Sequence, residues 1–360
     1  MLSLQPIHLF RYLGFKRARL DPSIKRLFYL SWEDALWDIL KKKNIIMGSH
    51  ILVPEFFCGD VENNIRSHGY KIAHYPVGKD LTSNSEKFIK KLIKYKPKVV
   101  IIFHAIGIKN NLFKDREWIS LLDKNSILIE DCVHRMVNPE KIHLYQENHI
   151  IMDSLRKVIP LQGCCVYGSF NFLTFSEPPI PQSWFYSLKV HLLWLLMVTF
   201  WNLCQIFANK RLSVKLAELS EKFMINGYDI IGDAKLPAKG LLIFNLLQQY
   251  INFNKIYKIK RKQVDLYEKQ LQHLLPIKVL YEESDKKEIR AWPIVLDIKY
   301  ADRILSYLRK KGLIVRFELN DSIWSQRQKI IYLPLGPHIN KQQQLMTIKL
   351  VKNSFKLIKK

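Results

Sequence analysis

Short strand-like runs punctuate the first half of this chain at His50–Val53, Lys71–Tyr75, Val99–Phe103, Ile127–Ile129 and Ile150–Met152. Between them lie stretches with helical periodicity. Ala35, Leu36, Ile39 and Leu40 recur on one helix face, Val61 to Arg66 reads as a second helix, and Phe88, Ile89, Leu92 and Ile93 face away from a row of lysines. Apolar strands alternating with amphipathic helices predict βαβ units and a mostly parallel sheet with helices on both faces. A further run, Cys165–Tyr167, extends the set. Right-handed crossovers place the strand C-termini on one edge, where ligands of open α/β sheets bind. The residues just after each run are therefore the first candidates for chemistry. They include Glu55-Phe56-Phe57, His104, Glu130-Asp131-Cys132-Val133-His134 and Asp153-Ser154-Leu155-Arg156-Lys157.

The second half is organised differently. Leu192 to Trp201 is apolar except for Thr199, inside a predicted helical insertion at 184–207. A span wants about 20 apolar residues, so three readings stay open: a subunit or domain interface, a helix in the plane of a membrane surface, or a span. Residues 240–272 read as one long helix. Strand-like Pro293–Ile298, a helix around Leu305 and Leu308, strands at Leu313–Phe317 and Ile330–Leu333, and a basic helix over 341–359 complete a small α+β domain. The expected division is a large α/β domain at 1–245 and a small α+β domain at 246–360.

Charge narrows the partners. Lys+Arg 57 against Asp+Glu 32 leaves +25 over 360 residues. Such a balance suits an anionic substrate or an acidic membrane surface, or it reflects solvated lysine-rich helix faces, since the lysines are scattered. No RNA-binding aromatic signature or zinc-finger spacing accompanies it, so neither nucleic acid nor a metal is expected. The five cysteines form no CxxC pair, which suits a reducing cytoplasm. The first residues lack a charged start, apolar core and small-residue cleavage site, so secretion is not expected.

Lys157 has the most informative setting. It follows a strand, with Ser154 before it and Asp131 ending the preceding strand 26 positions upstream. A lysine beside a buried strand end can lose its proton and form a Schiff base with an aldehyde such as pyridoxal 5'-phosphate, whose pyridine nitrogen needs an acid partner. A surface lysine and a helix-capping aspartate are the plain alternatives for each residue alone.

These segments, Glu130-Asp131-Cys132-Val133-His134 and Asp153-Ser154-Leu155-Arg156-Lys157-Val158-Ile159-Pro160, resemble the DegT/DnrJ family of sugar aminotransferases, fold-type-I pyridoxal-phosphate enzymes. Ser31-Trp32-Glu33-Asp34-Ala35-Leu36, Gly48 to Pro54, Lys98 to Gly107, Arg290 to Pro293 and Gly312 to Arg316 extend the likeness in order. It covers about residues 28–170 and is weaker over 210–340. The resemblance implies Lys157 as the Schiff-base lysine and proton shuttle, and Asp131 as partner of the pyridine nitrogen. It places His134 near the ring's phenolic oxygen; a structural histidine is the alternative. Ser154 and Ser31, with the helix start at Trp32, would hold the phosphate, and Phe57 or Phe56 would cover the ring. It also implies a homodimer using an amine donor and an anionic, nucleotide-linked keto sugar, in surface-polysaccharide or secondary-metabolite synthesis. The chain departs from the family where Trp32-Glu33 replaces Gly-Thr, where Gly163-Cys164 replaces paired glycines, and over 169–210. A catalytically altered or non-catalytic homologue at a membrane surface or in an assembly is the competing expectation.

Overall fold

The computed structural model describes residues 2–3, 6, 8–173, 184–206, 210–232, 237–275, 277–279 and 281–356. Its strands are β1 (Leu2–Ser3), β2 (Ile24–Tyr29), β3 (His50–Pro54), β4 (Lys71–Tyr75), β5 (Val99–Phe103), β6 (Ile127–Asp131), β7 (His149–Met152), β8 (Cys164–Ser169), β9 (Ala291–Asp297), β10 (Leu313–Ile314) and β11 (Gln328–Pro334). Its α-helices are α1 (Trp32–Lys42), α2 (Gly59–Ser67), α3 (Ser85–Tyr95), α4 (Leu155–Val158), α5 (Trp184–Ile206), α6 (Lys210–Gly232), α7 (Leu242–Leu247), α8 (Phe253–Leu271), α9 (Ile298–Lys310) and α10 (Lys341–Lys356). Seven strands hydrogen-bond in the order β2-β8-β7-β6-β5-β3-β4, the α/β sheet expected from the apolar runs. The chain forms two compact units, one of residues 5–46 and 138–252, the other chiefly of 47–137 and 253–360.

In the second unit, β3 pairs in parallel with β4 and β5, and β5 with β6. Every residue of β5 and β6 is buried, which is why β5 and the first three residues of β6 are apolar without alternation. The helices carry their own stop and start signals. Asn84 caps α3 by accepting from Lys87 N, and Asp297 caps α9 by accepting from Lys299 N. Antiparallel β9 and β11 carry Trp292, Ile294, Ile331 and Leu333 into one core with Val264 and Tyr267 of α8, Leu308 of α9 and Val351 of α10. This is the small α+β module read from the second half.

In the first unit, β8 runs antiparallel to both β7 and β2. The expectation that every strand ends on one edge is thus corrected for Cys165–Tyr167. Tyr29 lies opposite Cys164, and Asp153 N donates to Cys165 O, so the start of β8 meets the ends of β2 and β7. Helices α5 and α6 pack along each other: Ser220 Oγ donates to Met197 O, Ser213 Oγ to Cys204 O, and Phe200 stacks on Phe223. Val190 of α5 and Ile231 of α6 bury against Leu30 and Ala238. Residue 207, the last of the predicted insertion, lies outside the described residues.

Two further expectations are corrected. The long helix over 240–272 is broken into α7 and α8. Ile251 bridges to Leu13 and Asn252 N donates to Tyr12 O, so tertiary pairing claims backbone groups that a continuous helix would need. The strand over 313–317 shortens to the two residues of β10, which pair in parallel with β1.

Gly107 is the position where a side chain is least tolerable. Its φ is +97°, and an added Cβ would lie 2.1 Å from the His134 carbonyl oxygen and 2.9 Å from Ile289 Cα. We expect Gly107→Ala to cost about 2–4 kcal/mol, combining left-handed strain with backbone overlap. Gly312→Ala, at φ +87° with nothing within 4 Å of the added Cβ, should cost only about 1–2 kcal/mol. Urea denaturation of the two variants measures the difference.

Candidate active site

The sequence-predicted residues fall into two groups, each organised within its own unit. In the first unit, Ser31 follows β2 and Ser154 follows β7 as the residue before α4. Leu155 N donates to Gly163 O, folding the chain back so that β8 starts beside them. Gly163 is required there: its φ is +139°, and a Cβ would meet Phe28 Cζ at 2.3 Å. Asp153 Oδ1 accepts from Cys165 N at 2.7 Å, and burial lifts the carboxyl to about 7.

Ser31 is buried and caps α1, accepting from Asp34 N at 3.1 Å. Its hydroxyl also lies 2.5 Å from Asp34 Oδ2, while Asp34 Oδ1 accepts from Ala238 N at 2.9 Å. Burial pushes the Asp34 carboxyl up to about 8; the Ser31 hydrogen bond opposes the shift and Glu33 adds to it. Trp32 is buried beside this cap.

Lys157 is half-buried, with Nζ 5.0 Å from the centre of the Tyr228 ring. The Arg156 guanidinium lies 4.5 Å from the same ring, so an aromatic face on α6 receives two cations from α4. Burial disfavours the Arg156 charge, but Tyr228 and Glu33 hold its pKa above the ordinary value. A cavity of about 30 Å³ beside Arg156, lined also by Gln162, Trp194, Phe223 and Tyr228, has room for water and not for an aromatic ring.

In the second unit, Asp131 ends β6 and is 2 % exposed. Its Oδ1 accepts from Val133 N at 3.0 Å, which fixes the carboxylate. Phe103, its cross-strand partner, packs edge-on against Phe57 on one side and His134 on the other, with ring centres 6.2 and 5.2 Å away. Phe56 packs on Phe103 as well, with ring centres 6.2 Å apart, and more closely on Trp324 at 4.8 Å. The Phe103 ring is thus contacted by Phe56, Phe57 and His134, with Asp131 opposite it in the sheet.

Three residues here went unassigned in the sequence. Arg290 Nη1 lies 3.0 Å from His134 Nε2 and 3.2 Å from Glu318 Oε2. A guanidinium only donates, so Nε2 of His134 must accept and carries no proton. Arg290 Nε and Nη2 are buried without a hydrogen-bond partner, an arrangement that strong hydrogen-bonding groups rarely tolerate. The third is Lys260, fully buried, with Nζ donating to Ile289 O at 2.7 Å; burial lowers it to about 7. One signal for Lys260 was present: it falls on the buried stripe Phe253, Ile256, Tyr257, Lys260, Val264, Tyr267 of α8. Nothing local marks the pairing of Arg290 with His134, 156 positions apart.

The seven-stranded α/β sheet and the small α+β module make up the fold-type-I aminotransferase fold. Solved structures share it. The chain is similar to DesV of S. venezuelae in complex with a ketimine intermediate, with TM-score 0.58 and 12 % identity over 96 % of this chain and 90 % of that one. It is similar to the sugar aminotransferase CalS13 of Micromonospora echinospora, with TM-score 0.55 and 12 % identity over 98 % and 100 %. It is also similar to ntda of Bacillus subtilis with bound cofactor PMP, with TM-score 0.57 and 13 % identity over 92 % and 73 %. No protein-family model matches the sequence, and no curated protein matches it. At these identities the shared property is the fold.

The Asp34 carboxyl gives the site a pH signature. Its pKa is about 8 in the folded chain against 3.8 ordinarily, so the folded state keeps the proton between those values and the unfolded state loses it. Stability must then fall as pH rises through this window, by at most about 1.4 kcal/mol per unit for this group. Asp153, also raised, adds to the slope. We expect Asp34→Asn to flatten the dependence between pH 5 and 8, measured by chemical denaturation of both proteins across that range.

Proposed function

We propose that this chain is a divergent member of the DegT/DnrJ family and a pyridoxal-phosphate-dependent aminotransferase acting on a keto sugar. The observation that carries the reading is the order of groups at the strand ends: a buried, backbone-oriented carboxylate on β6, then a serine and a half-buried lysine after β7. Asp131 fits a pyridine ring because a carboxylate fixed by Val133 N needs no reorganisation to face a protonated nitrogen. Lys157 fits the aldehyde as a half-buried amine. The start of α1 does not fit a phosphate in the expected way, since Asp34 already occupies it. The fold shared with DesV, CalS13 and ntda supports the reading.

When bound, the cofactor would supply an electron sink for the carbon that gains or loses the amine. The protein's part follows from its own residues. Lys157 Nζ would hold the aldehyde, and as a free amine it would be the group able to carry a proton. Asp131 would pair with a protonated ring nitrogen. His134, with Nε2 committed to Arg290, is held in one orientation beside Phe103. Phe57 supplies an apolar wall. The net charge of +25 suits an anionic, nucleotide-linked sugar, with an amino acid as amine donor. All five cysteines are free, in keeping with a cytoplasmic enzyme, and a homodimer is part of the proposal. Purified protein given pyridoxal phosphate should develop the visible-region absorbance of lysine-bound pyridoxal, and Lys157→Ala should lose it. A protein that stays colourless with added cofactor overturns the reading.

We also propose that the first unit rests on an anionic membrane surface. Phe185–Cys204 is long and apolar enough to cross a bilayer by length and composition, with mean hydropathy 1.4, yet it packs along α6. Its outer face exposes Phe185, Leu188, Leu192 and Leu195. Phe244 of α7 stacks on His191, continuing the apolar surface through exposed Leu242, Ile243 and Leu246. Exposed Phe10 and Phe15 lie among exposed Arg11, Lys16, Arg17 and Arg19, on a segment tied to the same region by Gly14 N to Tyr250 O. Apolar residues flanked by cations match an acidic lipid interface. The protein should float with vesicles containing phosphatidylserine and not with neutral ones, and Leu188→Glu/Leu192→Glu should abolish flotation. Wild-type protein that stays at the bottom of the gradient overturns this part.

A further inference from the structure

We infer that Asp34 is a built-in substitute for the cofactor's phosphate, sealing the start of α1 so that pyridoxal and pyridoxal phosphate bind this protein nearly equally well. The inference deepens the proposed cofactor reading and rests on it.

The first-turn amides of an eleven-residue helix make a natural anion position. Here that position is taken by the helix's own third residue. Ser31 accepts from Asp34 N, the Ser31 hydroxyl is 2.5 Å from Asp34 Oδ2, and Ala238 N donates to Oδ1 at 2.9 Å. The carboxyl is thereby gripped from two separate chain segments, the α1 cap and residue 238. It is 0 % exposed, Ser31 is 1 % exposed, and Trp32 is buried alongside. An incoming phosphate would have to expel a fully bonded carboxyl from a dry site and then lie beside Glu33, whose charge repels it. Removing the carboxyl would free the Ser31 hydroxyl and the Ala238 amide together, both pointing at one small volume. The seal is thus reversible by one substitution.

The test uses full-length apo protein and three probes: pyridoxal, pyridoxal phosphate and inorganic phosphate. Absorbance titration of the wild type should give dissociation constants for the two aldehydes within about threefold of each other. Asp34→Ala should prefer pyridoxal phosphate at least tenfold. Thermal shift with inorganic phosphate supplies a readout independent of the cofactor. A basic chain takes up phosphate elsewhere, so the quantity read is Asp34→Ala minus Asp34→Asn, the latter keeping the shape of the seal. That difference should be a stabilisation of several degrees. A wild type preferring pyridoxal phosphate a hundredfold overturns the inference, and this measurement stands even if Asp34→Ala fails to fold. A zero phosphate difference in folded variants also overturns it. If neither aldehyde binds while Asp34→Ala gains phosphate stabilisation, the seal is upheld and the cofactor reading fails.

Discussion

The Asp34 carboxyl ties together three segments of the first unit. Through Ser31 it closes the cap of α1; through Ala238 it fastens the segment that pairs beside the end of β2, where Leu30 N donates to Ala238 O and Tyr29 bridges to Lys239. That segment packs with Val190 and Ile231, so the α5–α6 pair is seated on the same node. A buried carboxyl is costly unless hydrogen-bonded, and here each oxygen has a partner. Helix cap, strand end and hairpin therefore depend on one side chain that does not need its charge to make these bonds.

The second unit solves a similar problem with charges retained. Arg290 and Glu318 form an ion pair with side chains 1 % and 4 % exposed, and His134 takes a second bond from the same guanidinium nitrogen. Buried pairs of this kind are weak evidence for stability, because desolvation offsets most of the attraction. Their effect is positional. The guanidinium fixes the proton-free face of the imidazole, Phe103 packs against the ring, and Gly107 allows the backbone to approach the His134 carbonyl. Three separate contacts thus set the orientation of this imidazole.

How much of this was legible follows from the range of the forces involved. The apolar runs of β5 and β6 are readable because residues buried on both sides leave no polar alternation to confuse the pattern. The positions of Asp131 at the end of β6 and of Lys157 after β7 were legible because apolar runs mark where strands stop. The broken helix at 248–252 was not, since its break is made by Leu13, more than two hundred positions away in the chain. Trp32-Glu33-Asp34 stood out as a departure from the family pattern, but the meaning of Asp34 lay in Ala238, 204 positions downstream. Phe57 and Phe56 could not be separated by sequence, and Phe103 does not separate them either, since both ring centres lie 6.2 Å from its own; Phe56 also packs on Trp324. Local pattern reports burial and periodicity, whereas pairing between distant polar groups leaves no local trace.

The α5–α6 hairpin is more than an addition to the surface. Its inner side presents Tyr228 to both Arg156 and Lys157, and its outer side exposes leucines at helical spacing. A cation held about 5 Å over an aromatic face gains on the order of 1 kcal/mol, and Lys157 shares that face with Arg156, whose charge tends to push the lysine's away. A shift of α6 by a fraction of a turn would remove the ring from both cations and change the electrostatic setting of the lysine. The two helices are fastened by Ser213, Ser220 and the Phe200–Phe223 stack. The helix pair that departs from the family pattern thus also supplies the aromatic face beside Lys157.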